Sequence, residues 1–484
     1  MPCSAIVVFH LFLAIIYIRY PSYFDHAEAN IASVAGVVAR GGVIYHAADD
    51  AARYSTLYGP LTYLVPSLSL RLFGAHLWAS KLPGVLALIA TIVAFVGALI
   101  RVGVSGIGIS VATAILSVIL LYFGHMSFWV RSDPFILLLV TTCILVASSP
   151  GRWTAFVIGL VGGVLFAFKL TAPLYVVPFF LSKLAQSRSI QVPVYAALGF
   201  WLPVAAIFAL PEVALANYLY WLRAGAVHGI DFSLFFDSLQ FSMIYLVPIA
   251  LLSLLYWGNL TSEDRAFVVG LLASIVAVDL VTAKPGSGPH HLLPFAPMTI
   301  VFGLRVVAAG GKRLWWHHLS LAGVVACAVI AVAPRSYEQA KSILSQMLND
   351  WRFYASIEAE LSLVQRDHPL SNIQMGYGAL SSYTWTFTRP SLVYWGNDYL
   401  LDAAAMMDFK ESGLHTPKLT ILAMTSCEKI WLIPRNERPF SMRTYYWFPN
   451  GVPLFDESLQ SAFTSAFRIV QRYPHFDVWG CREH

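Results

Sequence analysis

Residues Tyr23–Pro60 read YFDHAEANIASVAGVVARGGVIYHAADDAARYSTLYGP and follow directly on the first hydrophobic segment. This is the only long polar loop in the first half of a chain otherwise dominated by apolar residues. It places Asp25, His26 and Glu28 just outside a membrane helix, then offers Arg40, Arg53 and Tyr58 before the chain re-enters lipid. Acidic residues at the mouth of a transmembrane bundle are a candidate site of chemistry. The run Asp25-His26-Ala27-Glu28 is equally a helix capping box, with Asp25 as N-cap and Glu28 three residues on. Both readings remain open at this point, and one carboxylate can serve both.

Outward from this loop, composition sets the class. Of 484 residues 58% are hydrophobic and only 12% charged, with a mean hydropathy of +0.66, more apolar surface than a soluble core can use. The segment Ser4 to Tyr17 lacks a basic leader and an evident cleavage site, so it reads as a retained helix. Spans are predicted to begin near Ser4, Lys81, Gly103, Pro134, Trp153, Ala172, Gln191, Leu239, Ala266, His290 and His318, about eleven helices. The apolar stretch from Leu61 to Phe73 carries Pro66 and Arg71 and reads as a membrane-surface element.

An odd number of spans puts the termini on opposite sides. The basic positions Arg101, Arg152, Lys183 to Arg188, Arg265 and Arg305 through Arg313 then share one face, the cytoplasmic one by the positive-inside rule. The net charge of +5 is accounted for by those loops, and no nucleic-acid partner follows. Every polar cluster of interest falls on the extracytoplasmic side: Asp25 to Tyr58, His125 to Asp133, Lys169, His228 to Asp237 and Lys284 to His291. An active site open to one compartment needs such one-sidedness. A secondary transporter needs broken helices near mid-membrane and a pseudo-repeat, and no internal repeat is evident.

Residues 1–334 thus read as the transmembrane domain, with a first extracytoplasmic loop at 20–60. Residues 335–484 gain charge and Trp, lose long apolar runs, and read as a soluble extracytoplasmic α/β domain. Within it the spacing predicts a helix over Ser336 to Gln365 and a helical Tyr399 to Lys410. Strands are predicted at Asn372 to Tyr377, Leu419 to Met424, Lys429 to Ile433 and Arg468 to Val470. Cys427 and Cys481 both fall in this domain, where a disulfide suits an oxidising compartment. No metal-ligand spacing such as CxxC, HExxH or DxD occurs.

The stretch FDHAEANIASVAGVVARGGVIYHAADD followed by YSTLYGPLTYLVPSLSLRLFG resembles the first extracytoplasmic loop of the GT-C glycosyltransferases that use polyprenyl-phosphate sugars. These include protein O-mannosyltransferases, aminoarabinose transferases and rhizobial galacturonosyltransferases. The likeness extends to WVRSDPFILLLV at Trp129 to Val140, to Lys169, to PGSGPHHLLPFAP at Pro285 to Pro297 and to a trailing soluble domain. Two departures stand out. His26 and Ala27 separate Asp25 from Glu28, where the family's acidic pair is often adjacent, and Tyr58-Gly59-Pro60 stands where lipid A-modifying relatives carry a Lys. No phosphate contact by that Lys is carried over.

The resemblance implies transfer from a lipid-linked donor, since the extracytoplasmic side has no pool of nucleotide sugars. A single inverting displacement passes through an oxocarbenium-like state. It needs a carboxylate to take the acceptor proton and cations to hold the departing phosphate. The resemblance implies Asp25 as the base, with Glu28 or Asp133 orienting the acceptor or assisting. Arg53, Lys169, Lys284 and His290 are candidates for the donor phosphate. His26, Tyr58 and His291 are candidates for acceptor or sugar contact.

Blander roles stand beside these. Asp133 before Pro134 caps a helix, Arg131 and Lys169 snorkel to head groups, and His290 or His291 sits at the interface. The expected protein is a polytopic α-helical GT-C-like glycosyltransferase of a bacterial-type inner membrane. Its partners would be a polyprenyl-phosphate sugar, membrane lipid and a glycan, lipid or protein acceptor. No organic cofactor is implied, and a divalent metal is possible but not required. The alternatives are a transporter or flippase of a lipid-linked sugar and a catalytically silent assembly partner.

Overall fold

The computed structural model describes residues 2–147, 149, 151–309, 315–444 and 451–482. Each of the eleven predicted segments falls on a helix, beginning with Pro2–Arg19 and ending with Trp315–Asn349. Among the described residues, Leu77–Arg101, Gln191–Phe208, Phe232–Asn259 and Ser262–Thr282 are long and apolar enough to cross a membrane. The basic stretch expected from Arg305 through Arg313 lies partly outside the described residues. Leu198, Trp201 and Leu202 on Gln191–Phe208 are 59, 63 and 58% exposed, a surface suited to lipid and not to water.

The chain packs as two compact units. The first comprises Met1–Tyr17, Gly84–Ile207 and Ile230–Ser345; the second comprises Ile18–Pro83, Phe208–Gly229 and Gln346–His484.

Within the first unit the helices approach through small residues, as association in lipid favours. Gly159 on Arg152–Phe168 meets the Ala196 carbonyl, and Gly199 on Gln191–Phe208 meets that of Phe156, with no room for a Cβ at either position. Some buried polar side chains pair across helices. His10 Nε2 lies 2.9 Å from Ser127 Oγ, and Ser238 donates to Asp279 at 2.7 Å.

The second unit holds the first loop and the C-terminal α/β segment. Its sheet has the order β1-β2-β4-β3, with β1 Asn372–Met375, β2 Lys429–Pro434, β3 Phe467–Arg472 and β4 Phe476–Cys481. β1 and β2 run parallel with Ile373 opposite Ile430, while β4 is antiparallel to both β2 and β3. Trp431, Phe440, Phe455 and Phe463 fill the core with edge-on ring contacts. Cys427 and Cys481 are bonded.

Three expectations are corrected. Leu419 to Met424 is not a strand but part of the helix Lys418–Met424. Its β-branched residues misled, whereas its buried positions, Thr420 and Met424, lie four apart on one helical face. The predicted helix from Ser336 to Gln365 is broken at Asp350 into Trp315–Asn349 and Trp351–Asp367. β4 was not predicted at all. The apolar stretch Leu61–Phe73 is a 13-residue helix packed on His26–Ala39.

Candidate active site

In the second unit Asp25 is the N-cap of the helix His26–Ala39. Asp25 is extended at φ −137° and ψ 148°, and its carboxylate accepts the Ala27 N–H at 2.6 Å. Glu28 accepts the Phe24 N–H at 2.9 Å. Two N–H groups at the helix start are satisfied in this way. The Asp25 side chain remains 27% exposed, with His26 Nδ1 4.0 Å from its Oδ2. Asp25 is therefore placed to meet a substrate as well as to cap.

Glu28 is different. It is fully buried, and it is the strongest countercharge felt by the equally buried Lys81, ahead of Glu358. Lys81 donates to the carbonyls of Tyr20 and Ser22 at 2.5 and 2.6 Å and lies over the rings of Tyr20 and Tyr23. Glu28 is thus a buried countercharge that also holds the start of the helix.

Arg53 is buried as well. It is 1% exposed, and its guanidinium donates to the carbonyls of Ala52, Ala48 and Ala47 at 2.5, 2.9 and 3.5 Å. It holds the loop. The same loop turns around His46, whose Nε2 accepts the Tyr54 and Ser55 N–H groups. Burial lowers that imidazole to about 4. Tyr58 is half-buried, with its carbonyl accepting from the Tyr45 hydroxyl at 2.6 Å.

A second polar group lies inside the first unit. Trp129, Arg131 and Asp133 come from the turn that starts the helix Asp133–Ala147; Lys169 ends the helix Arg152–Phe168; His290 and His291 sit in the 3-10 turn Pro289–Leu292. The Trp129 indole N–H donates to Asp133 at 3.1 Å. Asp133 also faces Arg131 Nε at 3.9 Å and His290 Nε2 at 4.0 Å. Arg131 approaches His290 Nε2 at 3.3 Å and lies 4.1 Å over the Trp129 ring. Lys169 Nζ lies 3.0 Å from His291 Nε2, and the His291 carbonyl accepts from Tyr175 at 2.6 Å.

The electrostatics favour an anion. Burial first, then the neighbouring His291, Arg131 and Lys169, hold His290 well below the usual imidazole range. Burial, Lys169 and Arg131 do the same for His291. With both rings neutral, two cations face one carboxylate and one net positive charge is left in a low-dielectric setting.

The structure thus brings together Asp133, Lys169, His290 and His291 from separate predicted segments. Lys284 is half-buried in the turn ahead of Pro289. Of the two roles open to Arg131, the structure favours the inward one: it is 8% exposed and faces His290 and Asp133. Its position two residues before Asp133 in a buried turn was the signal. Among the described residues, no group of three His, Cys, Asp or Glu is arranged to hold a metal ion.

Apolar helices enclosing a buried cationic group, with a first loop packed beside a C-terminal α/β segment in one unit, constitute the fold of a polytopic membrane protein. Among solved structures, the chain is similar to that of ArnT from Cupriavidus metallidurans bound to undecaprenyl phosphate. The two align over 99% of this chain and 98% of that one, with a TM-score of 0.57 and 13% sequence identity. At that identity the likeness establishes the fold. No protein-family model and no curated protein sequence matches the chain.

Proposed function

We propose that this protein is an inverting glycosyltransferase that moves a sugar from a polyprenyl-phosphate donor to a glycan, lipid or protein acceptor on the extracytoplasmic face of a bacterial-type inner membrane. The observation that carries the reading is the group formed by buried Arg131, His290 and His291 with half-buried Lys169, and its net positive charge. A buried anion seat in an apolar helical unit suits a phosphate that arrives on a lipid. The shared fold supports it, because the ArnT structure was obtained with undecaprenyl phosphate bound.

In the proposed reaction the Asp25 carboxylate takes the proton of the acceptor hydroxyl. The acceptor oxygen bonds to the anomeric carbon as the bond from that carbon to the phosphate oxygen breaks, and the configuration inverts. The departing polyprenyl phosphate gains negative charge, which Arg131 and Lys169 stabilise. Neutral His290 and His291 each have one ring N–H to donate to its oxygens, and Asp133 orients Arg131. An apolar cavity of about 370 Å³ in the first unit, lined by Val111, Ile115, Ile244, Leu252 and Val332 among others, offers room for isoprene units.

The test is transfer of labelled sugar from a panel of polyprenyl-phosphate donors into acceptor-bearing membranes, with wild type and Asp25→Asn at matched expression. Incorporation from one donor that vanishes in the variant is the expected result. Equal incorporation by both would reduce Asp25 to a cap. Movement of lipid-linked sugar between leaflets with no new glycosidic bond would replace the proposal with a transporter.

A further inference from the structure

The second unit contains a cavity of about 690 Å³ that the proposed reaction does not use. Its walls include Tyr20, Trp78, Tyr394 and Trp395, and Arg19, His76, Glu358 and Ser391 supply its polar groups. The volume is that of a small-molecule site. The composition is unusual for a bare packing defect: aromatic faces surround a carboxyl group, and Trp78 and Trp395 each keep 39% of their surface exposed.

The polar side is built. Ser391 donates to Glu358 Oε1 at 2.8 Å, which fixes the carboxyl. The Tyr394 hydroxyl is tied to that of Tyr23 at 3.4 Å, which is tied to Ser80 at 2.7 Å. The cavity is also coupled to the first loop. Tyr20 lines it and stacks on Phe24 at 5.4 Å between centroids, immediately before Asp25.

Aromatic faces with a fixed carboxyl are what a sugar ring requires. The C–H face of a pyranose packs on an aromatic ring, and vicinal hydroxyls bond a carboxyl oxygen. We propose that this cavity binds a saccharide ring of the acceptor, so that the acceptor is a glycan or a glycan-bearing lipid. This rests on the transferase reading above and narrows its acceptor.

Binding is tested apart from transfer. Saturation-transfer NMR on the full chain in nanodiscs would use methyl glucoside, methyl galactoside, methyl mannoside and N-acetylglucosamine as probes. Ring protons of at least one probe should receive saturation from wild type and from the lipid-facing control Trp201→Ala. Trp395→Ala and Glu358→Ala should each weaken that binding by roughly tenfold. No saturation of any probe, or equal saturation in both variants, overturns the proposal. So does displacement of the saccharide by glycerol 3-phosphate, which would assign the cavity to lipid head groups. Donor turnover is measured in parallel: its absence from wild type that still binds saccharide would sink the transferase reading while supporting this site.

Discussion

Lys169 Nζ lies 3.0 Å from Nε2 of His291. A lysine side chain has donors only, so Nε2 accepts and the neutral ring carries its proton on Nδ1. This contact fixes the ring while the His291 carbonyl is held by Tyr175. Lys169 is thereby placed in a buried anion seat whose other cation is Arg131.

Removing that charge should weaken donor binding more than it disturbs folding. Lys169→Met keeps the aliphatic stem and deletes one charge-assisted hydrogen bond, worth about 1.5 to 3 kcal/mol. The expected result is a rise in donor KM of about 10- to 100-fold, with Lys169→Arg less affected. A donor titration in nanodiscs measures it, and an unchanged KM would remove Lys169 from the phosphate seat.

Asp25 caps a helix and is the proposed base, and the two roles separate cleanly. Asparagine is as good an N-cap as aspartate, so Asp25→Asn should keep the bond to Ala27 and the melting temperature. It cannot accept a proton at neutral pH, and kcat should fall by about 10² to 10⁴. A variant that lost stability and activity in proportion would assign Asp25 to capping alone.

The first loop and the apolar helices were legible because each is a local signal. A capping run, a polar stretch and apolar windows need no knowledge of long-range packing. The phosphate seat was legible only in pieces, because residues 131, 133, 169, 290 and 291 are joined by helix packing that no window contains. Arg131 shows the limit most clearly. An arginine near a helix start has the same sequence signature whether it snorkels outward or turns inward to Asp133 and His290. Arg53 shows the same limit: its charge suggests a ligand, and only the fold reveals the backbone bonds by which it also anchors the loop. In the C-terminal segment Lys418–Met424 carried strand-forming residues on a helical face, so propensity lost to packing.

Glu358 predicts a pH effect. Burial pushes its carboxyl from 4.5 up to about 8, against the lowering pull of Ser391 and Lys81. A raised folded-state value means that stability from this group is fully present below the unfolded value and declines as pH rises through the folded one. Between pH 4.5 and about 8 the unfolded carboxyl ionises while the folded one resists. Wild type should therefore lose melting temperature across this window relative to Glu358→Gln, and the two profiles should run parallel above it. Parallel profiles throughout would mean that Glu358 ionises normally in the folded protein.

The proposed mechanism assigns the leaving phosphate to Arg131 and Lys169 and asks nothing of a metal ion. Chelation with EDTA should leave the transfer rate within about twofold, since no Lewis acid is required. Loss of transfer on chelation, restored by one divalent cation, would call for a metal at the phosphate and a different division of labour.

Glu28 and Lys81 test whether the first loop is held by a buried charge pair. Both are fully buried, and removing one partner of such a pair costs about 3 to 5 kcal/mol because the other charge is stranded. Lys81→Met should therefore lower the melting temperature sharply, and Glu28→Gln should do so less, because glutamine at this position can still accept the Phe24 N–H. The double variant should recover part of the loss, because neither charge is then left alone. Additive losses would show that Lys81 is held by the Tyr20 and Ser22 carbonyls alone. The coupling also separates positioning from chemistry: a recovered double variant should regain transfer along with its fold, which Asp25→Asn cannot do.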